Sequence, residues 1–152
     1  MAQYKLDPTH SAADFSTRHM MITTVRGGFK TVNGTLTYDP QNPAASSVEA
    51  VIETKSLSST GVEQRDQHLA SPDFLDVATY PSITFKSTKV EPYSGSEKAK
   101  ITGDLTIRNV TKSVVLDVEF LGETKSPFGD TRVGFTGTTK INREDFGLTW
   151  NM

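Results

Sequence analysis

The amino-acid sequence predicts an all-β fold: an antiparallel barrel of about eight strands with one short helix inserted between strands. Three observations point there. Thr, Val and Ile account for 39 of the 152 residues, and β-branched side chains suit a pleated surface better than a helix. Apolar and polar residues alternate with period two in one segment after another. The stretches rich in Pro, Gly, Asn and Ser are short and read as turns rather than linkers. At this length a single domain can close a hydrophobic core, so residues 1–152 are read as one unit.

The elements follow in order. Strands are expected at residues 3–7, 14–18 and 25–39, the last bent near Asn33-Gly34. In residues 48–55, Val48, Ala50, Ile52 and Thr54 share one face, opposite Glu49, Glu53 and Lys55. Residues 59–69 are polar and fit a helix. Thr60 and Glu63 have capping-box spacing, Val62 and Leu69 fall on one side, and Ser71-Pro72-Asp73-Phe74 stops it. A strand starts with Ile83 and Phe85. In residues 101–108, Ile101, Gly103, Leu105 and Ile107 share a face. Val114, Leu116, Val118 and Phe120 align in residues 114–121. Val133, Phe135, Gly137 and Ile141 do so in residues 133–141. A last strand is expected at residues 148–152.

Such alternation describes antiparallel sheet with one wet face. Two arrangements bury the other face, a sandwich or a closed barrel. Gly103 and Gly137 sit mid-strand on the apolar face, where glycine marks a bend or space for a close neighbour. They favour the barrel, with relief of curvature as the plainer alternative.

Composition excludes several functions. There are 16 Lys and Arg against 18 Asp and Glu, which argues against binding nucleic acid by neutralising phosphates. The absence of cysteine removes disulfides, thiolate metal sites and cysteine nucleophiles. No apolar run approaches the ~20 residues of a membrane-spanning helix. The first residues lack the apolar core of a signal peptide. The expectation is a cytoplasmic protein, or a periplasmic or secreted one if this is a mature form.

No catalytic constellation stands out. His10, His19 and His68 do not share an element with metal-ligand spacing. Asp7, His10 and Ser11 lack a nucleophile elbow and read better as a turn held by polar side chains. Arg26-Gly27-Gly28 offers a guanidinium and accessible backbone N–H groups that suit an anionic head group; an ordinary bulge is the equal alternative. Met20 and Met21 suit an adaptable apolar pocket or a plain core. No metal and no cofactor are expected.

Together these segments resemble the YceI-like family, a polyisoprenoid- or lipid-binding family with a lipocalin-like barrel. The resemblance rests on Asp7-Pro8-Thr9-His10-Ser11 with Phe15 and Arg18-His19-Met20, and on Val25-Arg26-Gly27-Gly28-Phe29. It continues through Arg65-Asp66-Gln67-His68-Leu69-Ala70-Ser71-Pro72-Asp73-Phe74-Leu75-Asp76 to Tyr80-Pro81. Gly103-Asp104-Leu105-Thr106-Ile107-Arg108-Asn109-Val110-Thr111-Lys112 and Ile141-Asn142-Arg143-Glu144-Asp145-Phe146-Gly147-Leu148 complete it. The segments occur in the family's order and span the chain. One departure is that the family pattern continues past Trp150-Asn151 into a further strand. Without that strand, sheet edges would be left that a second copy of the chain would cover as a homodimer.

The resemblance implies a non-enzymatic binder or carrier of a long apolar ligand, such as a polyisoprenoid, an isoprenoid quinone or a fatty amide. Alternation and family position together select Phe15, Met20, Met21, Phe29, Leu69, Phe74, Phe85, Leu105, Phe120, Phe135 and Trp150 as lining residues. Arg26, His19 and His68 are the expected polar contacts at a mouth. Two alternatives remain: a stress-related interaction protein whose barrel is filled by its own side chains, and a hydrolase or isomerase acting on captured lipid.

Overall fold

The structure, a computed structural model, describes residues 2–7, 11–19, 23–39, 41–58, 60–93 and 97–148. The described residues form nine strands: β1 (Ala2–Lys5), β2 (Ala13–His19), β3 (Thr23–Phe29), β4 (Val32–Tyr38), β5 (Ser47–Glu53), β6 (Ser82–Pro92), β7 (Lys98–Ile107), β8 (Val110–Lys125) and β9 (Thr131–Thr138). One α-helix, α1 (Glu63–Ala70), lies between β5 and β6. Seven strands form one antiparallel sheet in the order β1-β4-β5-β6-β7-β8-β9, and β2 and β3 pair separately as a hairpin.

The alternation read from the sequence decides which face turns inward. Along β5, Val48, Ala50 and Ile52 are half-buried while Glu49, Val51 and Glu53 are exposed. Along β8, Val114, Leu116, Val118 and Phe120 are half-buried between exposed Val115, Asp117, Glu119 and Leu121. Register carries this face across the sheet. Leu36 lies opposite Val48, Gly34 opposite Ala50, Ala50 opposite Phe85, Ile101 opposite Leu116, and Val118 opposite Gly137.

The sheet is strongly curled. Three strands separate β4 from β8, so a flat sheet would hold them about 19 Å apart at ~4.8 Å per strand. Yet the rings of Tyr38 on β4 and Phe120 on β8 have centroids 5.6 Å apart. Two side chains on the same face of a flat sheet could not span that gap. The result is a half-barrel with its apolar face concave. Among the described residues, β1 and β9 are its unpaired edges.

One end of the concavity is packed shut. Phe29, Ile83, Ile107, Phe146 and Leu148 form the buried core there, joined by half-buried Phe15, Leu57, Phe74, Leu75 and Val110. The β2–β3 hairpin is fastened beneath it, because the backbone N–H groups of Lys30 and Ser58 donate to the carbonyls of Ser56 and Gly28. The 3₁₀ turn Arg143–Phe146 starts at Asn142, whose side chain accepts from the Glu144 N–H. It ends at Gly147, and it delivers Phe146, only 2% exposed, into this core.

Several expectations need correction. Residues 25–39 are two strands and not one bent strand. The break falls at Lys30 and Thr31, which bond to the Ser56 carbonyl and hydroxyl as the chain passes from hairpin to main sheet. The capping box does not form: Thr60 gives its hydroxyl and backbone N–H to Asp66, and Val62 occupies the cap position without a side-chain bond. The β9 strand stops at Thr138, leaving Ile141 outside it and exposed. Leu148 is a buried core residue outside any strand, and the rest of the strand expected at residues 148–152 lies outside the described residues.

Gly103 has a specific reason. A Cβ built there would overlap the Phe85 ring and crowd the Lys86 carbonyl, so the space belongs to the protein's own side chain. Gly103→Val is expected to lower stability by about 1–3 kcal/mol through overpacking. Phe146→Ala is expected to cost about 3–5 kcal/mol through the cavity it leaves. Denaturant unfolding monitored by circular dichroism checks both.

Candidate functional site

Away from the packed end, the concave face is apolar but only half covered. Tyr4, Leu36 and Tyr38 come from β1 and β4. Val48 and Ala50 come from β5, Leu116, Val118 and Phe120 from β8, and Val133 and Phe135 from β9. All lie on the inward side of their strands, and all remain half-buried. In a filled barrel, opposing walls would bury such residues. Here they stay partly accessible instead.

The far end carries three rings. Phe120 and Phe135 sit directly opposite in the β8–β9 ladder with centroids 5.1 Å apart. Tyr38 approaches Phe120 at 5.6 Å in a tilted arrangement and Phe135 at 5.6 Å edge-on. These tilted and edge-on geometries suit aromatic quadrupoles. They also tie β4 to the opposite wall. Burial first, then the nearby charge of Glu123, pushes the Tyr38 hydroxyl above the usual tyrosine value.

The expected lining residues divide between the two ends. Phe15, Phe29, Phe74 and Leu105 belong to or pack on the closed-end core. Phe15 and Phe29 meet at 5.9 Å, and Phe85 is buried over Gly103. Phe120 and Phe135 stand at the open end. Leu69 is half-buried on α1. His68 does not stand beside these rings at the mouth. Its Nε2 pairs with Asp73 Oδ2 at 2.8 Å, and its ring meets Phe74 edge-on at 4.9 Å, below the core. Arg26 is exposed on β3, opposite Ser16. Its two glycines lie in an unbroken ladder rather than a bulge. A Cβ at Gly27 would strike the Phe15 ring, and one at Gly28 the Asp14 carboxylate. His19 ends β2 opposite Thr23. Met20, Met21 and Trp150 lie outside the described residues.

Tyr4, Leu36, Tyr38, Val48, Leu116 and Val118 join the face beyond the lining residues expected from the sequence. The signal was present in the alternation of β5 and β8, but selection favoured large aromatics over the aliphatic walls. Two open clefts, of about 530 and 320 Å³, include none of these six residues; the larger reaches Val114 and Phe146 beside the closed-end core. Among the described residues, no cluster of three His, Asp or Glu could hold a metal ion. No helix there is long and apolar enough to cross a membrane.

A curled antiparallel sheet with an apolar concave face, sealed at one end, defines the class of lipocalin-like β-barrel proteins. Comparison with known proteins narrows this. The YceI-like domain matches residues 4–152. A UPF0312 protein of Vibrio cholerae is 40% identical over 149 residues, covering 97% of this chain and 78% of its own length. A UPF0312 protein of Pseudomonas syringae is 42% identical over the same span, covering 97% and 77%. Among solved structures, the Campylobacter jejuni YceI protein shares 36% identity, with a TM-score of 0.73 over 97% of this chain and 85% of that one. Burkholderia cenocepacia BcnA shares 26%, with a TM-score of 0.82 over 95% and 86%. The chain belongs to the YceI-like family.

The raised Tyr38 value has a measurable consequence. A tyrosine harder to ionise in the folded state stabilises the fold fully below the ordinary value of about 10, and that contribution is lost as pH rises through the raised folded value. An ultraviolet titration is expected to show a phenol ionising above the ordinary tyrosine value. Tyr38→Phe is expected to remove that late step.

Proposed function

We propose that this protein binds a long apolar molecule along its concave face and carries it without chemical change. The observation that supports this reading is the row of inward aliphatic and aromatic residues on β4, β5, β8 and β9 that the fold leaves half covered. Each CH₂ group withdrawn from water contributes about 0.8 kcal/mol. A polyisoprenoid, isoprenoid quinone or fatty amide would therefore gain affinity with length until ordering costs offset it. The packed end would set the depth of insertion, and the Tyr38–Phe120–Phe135 rings would flank the part of the chain nearest solvent. Phe85 and Leu105 would form the floor. On this reading Arg26, His19 and His68 are the candidate polar contacts, to be tested singly.

The family and its solved relatives support a binding protein. The ligand class is the one the family resemblance implies, and the apolar character of the face is compatible with it. The experiment is native mass spectrometry of purified protein with lipid extraction, followed by titration with polyprenyl lipids of increasing length. A co-purifying apolar mass, or a melting temperature that rises with lipid length, is expected. Absence of both would overturn the reading. Val118→Asp places a carboxylate on the apolar wall, where an unpaired charge is costly. It is expected to weaken lipid binding about tenfold or more while far-ultraviolet circular dichroism stays native.

A further inference from the structure

The β8–β9 hairpin extends past the rest of the sheet, and its tip carries the most exposed large apolar side chain among the described residues. The Phe120 N–H donates to the Glu97 carbonyl at 2.8 Å, so Phe120 lies level with the turn joining β6 to β7. Beyond that level, among the described residues, only β9 pairs with β8, through Gly122 to Lys125. At about 3.3 Å per residue the five residues from Leu121 to Lys125 project roughly 15 Å. This is the open end, where the three rings stand. The turn Ile107–Val110, beside the buried core, is at the other end of β8.

Phe128 at the tip is 90% exposed. Its loop is organised, not loose. Ser126 N–H donates to the Asp130 carbonyl at 2.8 Å, Gly129 N–H to the Ser126 carbonyl at 3.0 Å and Phe128 N–H to Ser126 Oγ at 3.2 Å, while Ser126 Oγ also bonds Asp130. Leu121, 59% exposed, and Tyr93, 46% exposed, lie toward the same end. The arm joins the sheet across a crease. The ladder shifts between Phe120 and Gly122, and Gly122 lies opposite Gly134 with φ at +143° and open space around its missing Cβ. Charges on the arm balance, with Lys125 and Arg132 against Glu123 and Asp130, and Arg132 lies 3.7 Å from Asp130.

We propose that this arm docks the mouth of the barrel on a lipid bilayer, with Phe128 seated in the headgroup boundary. Aromatic side chains favour that boundary, and a ring held out at a loop tip is suited to it. The balanced charge makes the contact apolar rather than electrostatic, so zwitterionic lipid suffices. The purpose of docking, collecting an apolar ligand directly from the membrane, rests on the binding reading above; the docking does not.

The test uses lipid-stripped protein and sucrose-loaded phosphatidylcholine vesicles that contain no polyprenyl lipid, so it reads attachment independently of ligand binding. The full chain is expected to sediment with vesicles, with little change in 0.5 M salt. Phe128→Asp is expected to lower the bound fraction several-fold, and Phe128→Trp to retain it with a blue-shifted, vesicle-dependent emission. Uptake of solubilised polyprenyl lipid by Phe128→Asp should match wild type, while transfer from donor vesicles slows. Absence of vesicle attachment by wild type, equal attachment by Phe128→Asp, or attachment abolished by salt would each overturn the proposal. So would a stoichiometric protein complex lost on Phe128→Asp without any vesicle binding, which would reassign the tip to a protein partner.

Discussion

The curl of the main sheet is the constraint on which the rest depends. Period-two alternation sends apolar side chains to one face of seven strands, and that face must leave water. One helix of eight residues cannot cover it. The sheet curls over that face instead, and the contact of Tyr38 with Phe120 and Phe135 across the concavity is the physical sign that it does so. The closed end obtains a conventional core from a 3₁₀ turn and a detached hairpin. The open end obtains only rings and aliphatic walls. That difference between the ends creates the candidate site.

Much of this architecture was legible in the sequence. Strands β5 to β9 were placed by alternation, and the helix and its stop by local chemistry. What failed was local competition settled by distant contacts. Thr60 carries a capping-box signature, but Asp66 takes its hydroxyl and its backbone N–H. Residues 25–39 read as one strand because nothing local announces that Lys30 and Thr31 bond to Ser56, 25 or more residues onward. The glycines beside Arg26 suggested an anion nest or a bulge, whereas each makes room for a side chain of β2.

The candidate site was legible by face but not by residue. Choosing large aromatics gathered Phe29 and Phe74 from the closed-end core along with Phe120 and Phe135 from the mouth. Size alone cannot tell a plug from a lining. Depth along the barrel separates them, and depth comes from register: Phe120 faces Phe135 far from the turn at Ile107, and Leu105 lies close to it. The hairpin between β7 and β8 fixes that register. Arg108 adopts a left-handed φ of +56° in its turn, a conformation costly for a residue with a side chain. Its guanidinium lies 5.3 Å from the centre of the Tyr80 ring, an attraction that helps hold the turn.

Phe85 and Gly103 illustrate how little latitude such a fold leaves. The ring on β6 occupies the volume that a Cβ on β7 would need, so the two positions form a single inheritable unit. A lineage that acquires a side chain at 103 must first, or at once, surrender bulk at 85: shrinking 85 first leaves a hole, and filling 103 first drives a side chain into the ring. Among relatives the combined volume of this pair should stay nearly constant while its division between the strands drifts, and chimaeras that mix strands from different parents should fail here before they fail elsewhere.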